Sequence, residues 1–329
     1  MPIFNGYSRE GFYLEYQSIS QLKLGEEVLG FYLIKAVECK TTNTNKKFLD
    51  LLLSDKTGTI RSKLWDATEE MAGRYSTGVL VKIKGLVTEW QNQLQLRIEK
   101  IRLTTPEDRL NIEDYVPSAP YSPEFMYNEI LKYVSRVKNQ DIYRIVSCIL
   151  DKNREKLLRY PAAKKNHHSI RSGLLYHIYT MLRAGEKLSE IYTLINPDLL
   201  YAGIILHDIA KIEEMTADEL GLVTDYTVPG QLLGHLVLGV KQIALVAQEL
   251  GADEEVALLL QHMLLAHHSE PEMGSPVRPK IPEAELLHYL DLIDARMYDM
   301  AKALENVAEG EFTPRIWVLD NRSLYKAPR

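Results

Sequence analysis

Apolar positions in the first hundred residues come in short runs, some alternating with polar ones, and each run ends at a turn signal. Residues 28–39 are rich in apolar, β-branched and aromatic side chains, and residues 47–53 alternate loosely. Asp55-Lys56-Thr57-Gly58 reads as a turn, with glycine where a positive φ is needed. Residues 59–65 set Ile60, Ser62 and Leu64 against Arg61, Lys63 and Trp65, the two-residue period of a half-buried strand. A short helix is predicted over 67–75, followed by strands over 79–89 and 94–103 joined around Gln91-Asn92. Beyond Pro123 the period changes to three and four, predicting helices over 125–137 and 142–158. Asn196-Pro197 supplies a cap and a first-turn proline for an almost wholly apolar helix ahead of His207. Asp253 opens a helix towards His262, and Pro282-Glu283 opens another through Met300. A small hairpin or loop is expected at 221–227.

Five strands with one helix between the third and fourth is the order of an OB-fold barrel. The phrases LSDKTGTIRSKLWD and GVLVKIKGLVTEWQNQLQLRIEKI resemble the OB modules of nucleic-acid enzymes. Residues 104–123 hold Pro106, Pro117, Pro120 and Pro123 with several acids and no periodicity, the composition of a linker. The expected architecture is therefore multidomain: a five-stranded OB-fold barrel over 1–104, a linker over 105–122, and an all-α bundle over 123–329. Each part is long enough for its own core.

Composition adds little until it is divided. The net charge of −6 alone argues against a nucleic-acid binder, yet residues 1–104 carry 15 Lys+Arg against 12 Asp+Glu, and the remainder 24 against 33. A slightly basic module attached to an acidic one suits a polyanion delivered to a cation-filled site. Barrels of this kind bind single strands by stacking bases on aromatic faces beside a basic groove. Candidates are Tyr32, Phe48, Trp65 and Trp90, with Lys40, Lys47 and Lys63 among the basic residues. Cys39 and Cys148 fall in different parts and form no CxxC pair, which excludes a thiolate zinc cluster and fits a reducing compartment. The N-terminus MPIFNGYSREGFYLEY lacks the pattern of a signal peptide, and no apolar run approaches the roughly 20 residues of a membrane span. A cytoplasmic location is expected.

All nine histidines lie between His167 and His288. His207-Asp208 ends the apolar run 199–206, Lys211 follows one turn later, His177 precedes, and His235, His262, His267, His268 and Asp291 follow. A single histidine on an apolar face is more often a hydrogen-bonded core residue than a ligand. Burying His, Asp and Lys together is costly unless they pair or hold a metal, and imidazoles spread along successive helices can converge inside a bundle.

The series His177, then HDIAK (His207, Asp208, Lys211), GQLLGH (His235), AHHSE (His267, His268) and HYLDLIDA (Asp291) resembles the HD superfamily of metal-dependent phosphohydrolases. With an OB module ahead of it, and GSPVRP and EAELLHYLDLIDARM closing it, the chain is similar to the YhaM-type 3′-5′ exoribonucleases of Gram-positive bacteria. Ser269 in AHHSE stands where that pattern suggests glycine. The resemblance implies a hydrolase with about two divalent cations per chain. Asp208 would bridge them and, with Lys211, carry the catalysis. His177, His207 and Asp291 would hold one ion, and His235 with His267 or His268 the other. His262, Asp294 and His168 are candidates for supporting these ligands or touching substrate. Nitrogen and oxygen donors without thiolate suit Mn²⁺ or Fe²⁺ and leave Zn²⁺, Ni²⁺ and Co²⁺ open; the resemblance favours Mn²⁺. The implied substrate is single-stranded RNA, with single-stranded DNA also open, and the 3′-5′ polarity follows from the resemblance alone. Two other readings stand beside it: an HD hydrolase of nucleotides or signalling nucleotides with the OB module used for protein interaction, and a non-catalytic binder. No membrane partner is expected, and self-association is left open.

Overall fold

The computed structural model describes residues 17–42, 44–110, 114–164, 167–218 and 220–328. The N-terminal segment read above for a leader, and residues 111–113 of the expected linker, lie outside the described residues. The chain forms two compact units, Met1–Pro117 and Ser118–Arg329.

In the first unit, β1 (Glu27–Thr41), β2 (Lys47–Asp55), β3 (Gly58–Trp65), β4 (Leu80–Trp90) and β5 (Gln93–Leu103) close a barrel in the order β1-β2-β3-β5-β4. Helix α1 (Glu69–Arg74) separates β3 from β4, capped by the Thr68 side chain. The long β1 pairs with both β2 and β4, and parallel pairing of β3 with β5, from Arg61↔Gln95 to Leu64↔Ile98, completes the circle. Alternation decides what fills it: Ile60, Ser62 and Leu64 point inward, among Leu49, Leu51, Ile83 and Leu96. Gly85 sits where β4 and β5 slip register, and a Cβ there would lie 2.5 Å from the Arg97 carbonyl oxygen. The strands could not approach as closely around any other residue.

The stretch expected as a linker is not free chain along its described part. Arg102 at the end of β5 holds Asp108 through two hydrogen bonds of 2.7 and 2.6 Å, and Thr105 forms a capping box with Asp108. Residues up to Pro117 group with the barrel. Proline content and missing periodicity argue against a long helix or strand there, but not against a single 3₁₀ turn (Pro106–Asp108) pinned by a bidentate ion pair.

The second unit is helical: α2 (Pro123–Val134), α3 (Gln140–Leu157), α4 (Gly173–Ile191), α5 (Pro197–Leu206), α6 (Lys211–Glu214), α7 (Val228–Leu250), α8 (Glu254–Ala266) and α9 (Pro282–Leu304). A two-stranded ribbon, β6 (Met215–Ala217) with β7 (Val223–Tyr226), forms a hairpin that begins six residues before the range expected for it. Every residue of α5 from Leu199 to Leu206 is buried, so this helix forms the axis of the unit. It starts as the sequence predicts, with Pro197 in the first turn and the Asn196 side chain accepting from the Asp198 N–H. At Gly203 it passes so close to α8 that a Cβ would lie 2.2 Å from the Met263 methyl.

Helix α7 is 23 residues long and apolar enough, by length and composition, to cross a membrane. The sequence reading finds no such run because Gln231, Gly234, His235, Lys241 and Gln242 interrupt it. It is broken within that length: Gly234 has φ 69° and ψ 164°, a conformation open in practice only to glycine, and the axis kinks there.

Candidate active site and metal centre

Six elements bring the polar residues of the second unit to one place. His207 is the C-cap of α5 and His267 the C-cap of α8, while His177 comes from α4, His235 from α7 just past the kink, and Asp291 and Asp294 from α9. Asp208 and Lys211 lie on the turn into α6. His177, His207 and His267 are fully buried and Asp208 nearly so.

Asp208 stands between two sets of imidazoles. Its Oδ2 lies 3.4 Å from His207 Nε2 and 3.9 Å from His177 Nε2, and its Oδ1 lies 3.4 Å from His235 Nε2 and 3.9 Å from His267 Nε2. Asp291 Oδ1 is 3.2 Å from His177 Nε2, on the same side as Asp208. The nitrogens of His235, His267 and His268 form a further group within 4.8 Å of one another. Lys211 donates to Asp208 Oδ2 at 2.6 Å.

Five rings are oriented the same way. Nδ1 is paired with an oxygen in each: His177 with Asp294 (2.8 Å), His207 with the Ile204 carbonyl (2.8 Å), His235 with Glu214 (3.1 Å), His267 with the Leu264 carbonyl (2.7 Å) and His268 with the Met273 carbonyl (2.8 Å). A carbonyl oxygen only accepts, so Nδ1 carries the proton on those rings, and the Nε2 lone pair is directed at the centre. His177 Nε2 and His207 Nε2 face each other at 3.2 Å, a contact that needs a proton or a cation between them.

The residues fit a cation on a second ground. Asp208 Oδ1, His235 Nε2 and His267 Nε2 are buried with no hydrogen-bond partner in the protein. Three such orphans converging on one space would be costly in a site that stayed dry and ion-free. Burial holds His267 far below the ordinary histidine value and lowers His268, which keeps both lone pairs free. Burial also works against a charge on His177, but its hydrogen bonds to Asp291 and Asp294 prevail and raise it to about 10. Burial favours the neutral acid at Asp208, yet the charge of Lys211 and the neighbouring histidines hold that carboxyl well below its usual range.

Sequence spacing cannot separate Asp291 from Asp294, which are one turn apart. The structure sets them on opposite sides of the His177 ring: Asp291 at Nε2 facing Asp208, Asp294 at Nδ1. Asp294 Oδ2 also lies 2.7 Å from His168 Nε2, so His168 braces the carboxylate that braces His177. His262 is a correction. Its Nε2 lone pair accepts the Lys280 backbone N–H at 2.9 Å, so that nitrogen supports neither a ligand nor substrate. Two residues escape the sequence reading. Glu214 orients His235, and nothing in the adjacent pair Glu213-Glu214 says which acid turns inward. His288 Nδ1 donates to the His267 carbonyl at 2.8 Å, a group whose helical partner would be the N–H that Pro271 lacks.

On the barrel, the candidates divide. Trp65 and Trp90 are 44% and 61% exposed, and Lys63 Nζ lies 5.5 and 6.0 Å from their ring centres. These three line a cleft of about 260 Å³ with Thr88, Gln95 and Arg97. Phe48 is buried under Trp65, ring centres 4.8 Å apart, and supports that ring rather than offering a face. Tyr32 is a correction: it is fully buried among the barrel's core side chains, its hydroxyl donating to the Gln17 carbonyl, and offers no face to a base. Lys40 is held by Asp50 and Glu38, and Lys47 is exposed at the start of β2.

Two families match the chain: the HD domain over residues 174–296, and an OB-fold nucleic-acid-binding domain over residues 34–104. Proteins described as 3′-5′ exoribonuclease YhaM are similar over almost the full length. That of Halalkalibacterium halodurans is 43% identical, covering 94% of this chain and 96% of its own. That of Oceanobacillus iheyensis is 43% identical, covering 92% and 95%. At that identity over nearly the whole of both chains, this protein belongs to the YhaM family.

Proposed function

We propose that the protein is a metal-dependent 3′-5′ exoribonuclease: its helical unit hydrolyses the phosphodiester bonds of single-stranded RNA, and its barrel holds the strand. The observation that carries this is Asp208, whose two carboxylate oxygens face two separate sets of histidine nitrogens. In that arrangement Asp208 would serve cations on both sides, one that His177, His207 and Asp291 would hold and another that His235, His267 and His268 would hold. Two such ions supply the Lewis acidity that activates water and neutralises charge on the phosphoryl group. Donors of nitrogen and oxygen without thiolate suit Mn²⁺ or Fe²⁺ and leave Zn²⁺, Ni²⁺ and Co²⁺ open; the resemblance to the YhaM family favours Mn²⁺.

The chain's own groups do the rest. Asp294 and Glu214 orient His177 and His235, and the carbonyls of Ile204 and Leu264 orient His207 and His267. Lys211, its charge kept by Asp208 against burial, provides a positive point beside the scissile phosphate. Trp65 and Trp90 offer faces for bases, with Lys63 between them for the backbone.

Incubation of manganese-loaded protein with end-labelled RNA oligomers, single-stranded DNA and free nucleotides tests the reading. Stepwise shortening of RNA from the 3′ end is expected. Hydrolysis of nucleotides with RNA untouched would replace it with a nucleotide phosphohydrolase.

A further inference from the structure

The second unit carries an aromatic patch that none of the roles above uses. Tyr121, just ahead of α2, and Phe125, in its first turn, are each 42% exposed, and their ring centres lie 5.6 Å apart. Both rest edge-on against Tyr179 of α4, at 5.8 and 6.0 Å. Tyr179 itself is buried and fixes their height and tilt. Arg183, one turn further along α4, places its guanidinium 5.5 Å over the Tyr179 ring. Arg183 is exposed, and among the described residues no carboxylate pairs with it.

The patch is joined to the metal centre. Tyr121 contacts Tyr176 at 6.2 Å, Tyr176 contacts His168 at 5.3 Å, and His168 binds the Asp294 carboxylate that orients His177. A row of rings therefore runs from the flank of the buried centre to two exposed faces. Two large aromatic groups left half in water cost hydrophobic burial that a single-purpose scaffold would recover. Exposed rings on a rigid base, with an unpaired arginine beside them, are the elements of a single-strand binding platform.

We propose that Tyr121 and Phe125, with Arg183, form a second strand-binding site within the catalytic unit, stacking RNA bases that lie 5′ of the scissile bond. This rests on the exoribonuclease reading: an enzyme that removes nucleotides from the 3′ end leaves the remaining strand on the 5′ side, and that strand must leave the centre across an adjacent surface. The Arg183 guanidinium takes a phosphate of the same segment. Sequence preference is absent, because stacking accepts every base.

The test uses the full chain with manganese and a series of RNA oligomers from dinucleotide to octanucleotide. Tyr121→Leu and Phe125→Leu keep the apolar bulk and remove the ring; Tyr121→Phe and Phe125→Tyr keep the ring. The leucine variants are expected to raise KM progressively with oligomer length, by about five- to a hundredfold for the octanucleotide, with the penalty falling on KM rather than kcat. The aromatic variants restore wild-type KM, which a purely structural role would not require. Leucine variants that match wild type at every length overturn the proposal. So does a change in sedimentation behaviour with KM unmoved, which assigns the patch to protein association. Wild-type protein that leaves RNA of every length intact sinks the exoribonuclease reading, and the platform with it.

Discussion

One oxygen of Glu214 takes two hydrogen bonds from the same residue: Oε1 accepts the backbone N–H of His235 at 3.0 Å and its ring Nδ1–H at 3.1 Å. Backbone and imidazole are thus fixed from one point. The geometry depends on the kink at Gly234, where a side chain would be strained. Glu214→Ala is expected to weaken binding of the second metal by about ten- to a hundredfold. Equilibrium titration with Mn²⁺, resolving two classes of site, would show it. Unchanged affinity at both sites would remove Glu214 from the assembly.

Asp208→Asn and His207→Ala are expected to abolish hydrolysis and leave strand binding by the barrel within about twofold, since the barrel is a separate compact unit. Lys211→Ala should lower turnover with metal content retained. Gel-shift assays beside single-turnover hydrolysis separate the two effects. Asp208→Asn protein with a tenth of wild-type turnover would rule out the bridging carboxylate.

Proton and metal compete at His177. Its folded value of about 10 lies above the usual 6.5, so its pairing with Asp291 and Asp294 stabilises chelated protein fully below pH 6.5 and fades as pH rises to about 10. Both carboxyls are held below their usual 3.8, so their share is present above that value and lost on acidification. Metal binding displaces the proton, so Mn²⁺ affinity should climb across the same upper window. Denaturant midpoints of chelated protein that stay flat from pH 6.5 to 10 would exclude this coupling.

Ser269 adopts φ 64°, so the departure from glycine in AHHSE places a side chain in the left-handed region. Ser269→Gly is expected to stabilise the protein by a few tenths to about 1 kcal/mol. Thermal unfolding with matched metal content measures it, and a lower midpoint would contradict the strain.

The two aromatics read together from the sequence should now behave differently. Trp65→Ala is expected to weaken RNA binding by about five- to a hundredfold with the barrel intact. Tyr32→Ala, which empties a fully buried site, should destabilise by about 3–5 kcal/mol. Binding isotherms and unfolding curves on both variants settle the division.

Much of this was legible in the chain because a two-residue period or an unbroken apolar run admits one reading. Ile60, Ser62 and Leu64 turn inward as their alternation requires, and 199–206 is the buried axis. Helices α4 and α7 are not announced, since Gly185, Gly234 and Gln231 blur their stripes. Within the site, residue types and order locate the ligands. They do not reveal which ring nitrogen carries the proton, since that depends on the carbonyls of Ile204 and Leu264, three residues back on the chain. The roles of Glu214 and His288 are hidden for a different reason: they are set by contacts 21 residues away along the chain.

His207 and His267 share one position in their helices: each is the C-cap of its helix, with Nδ1 bonded to the carbonyl three residues earlier. The close passage at Gly203 brings these ends together, ring centres 5.0 Å apart. A helix end of this polarity carries about half a negative charge, so two macrodipoles point their negative poles into the same space. The centre is biased towards cations by its backbone before any carboxylate is counted, and that bias survives substitutions that strip the site of its acids.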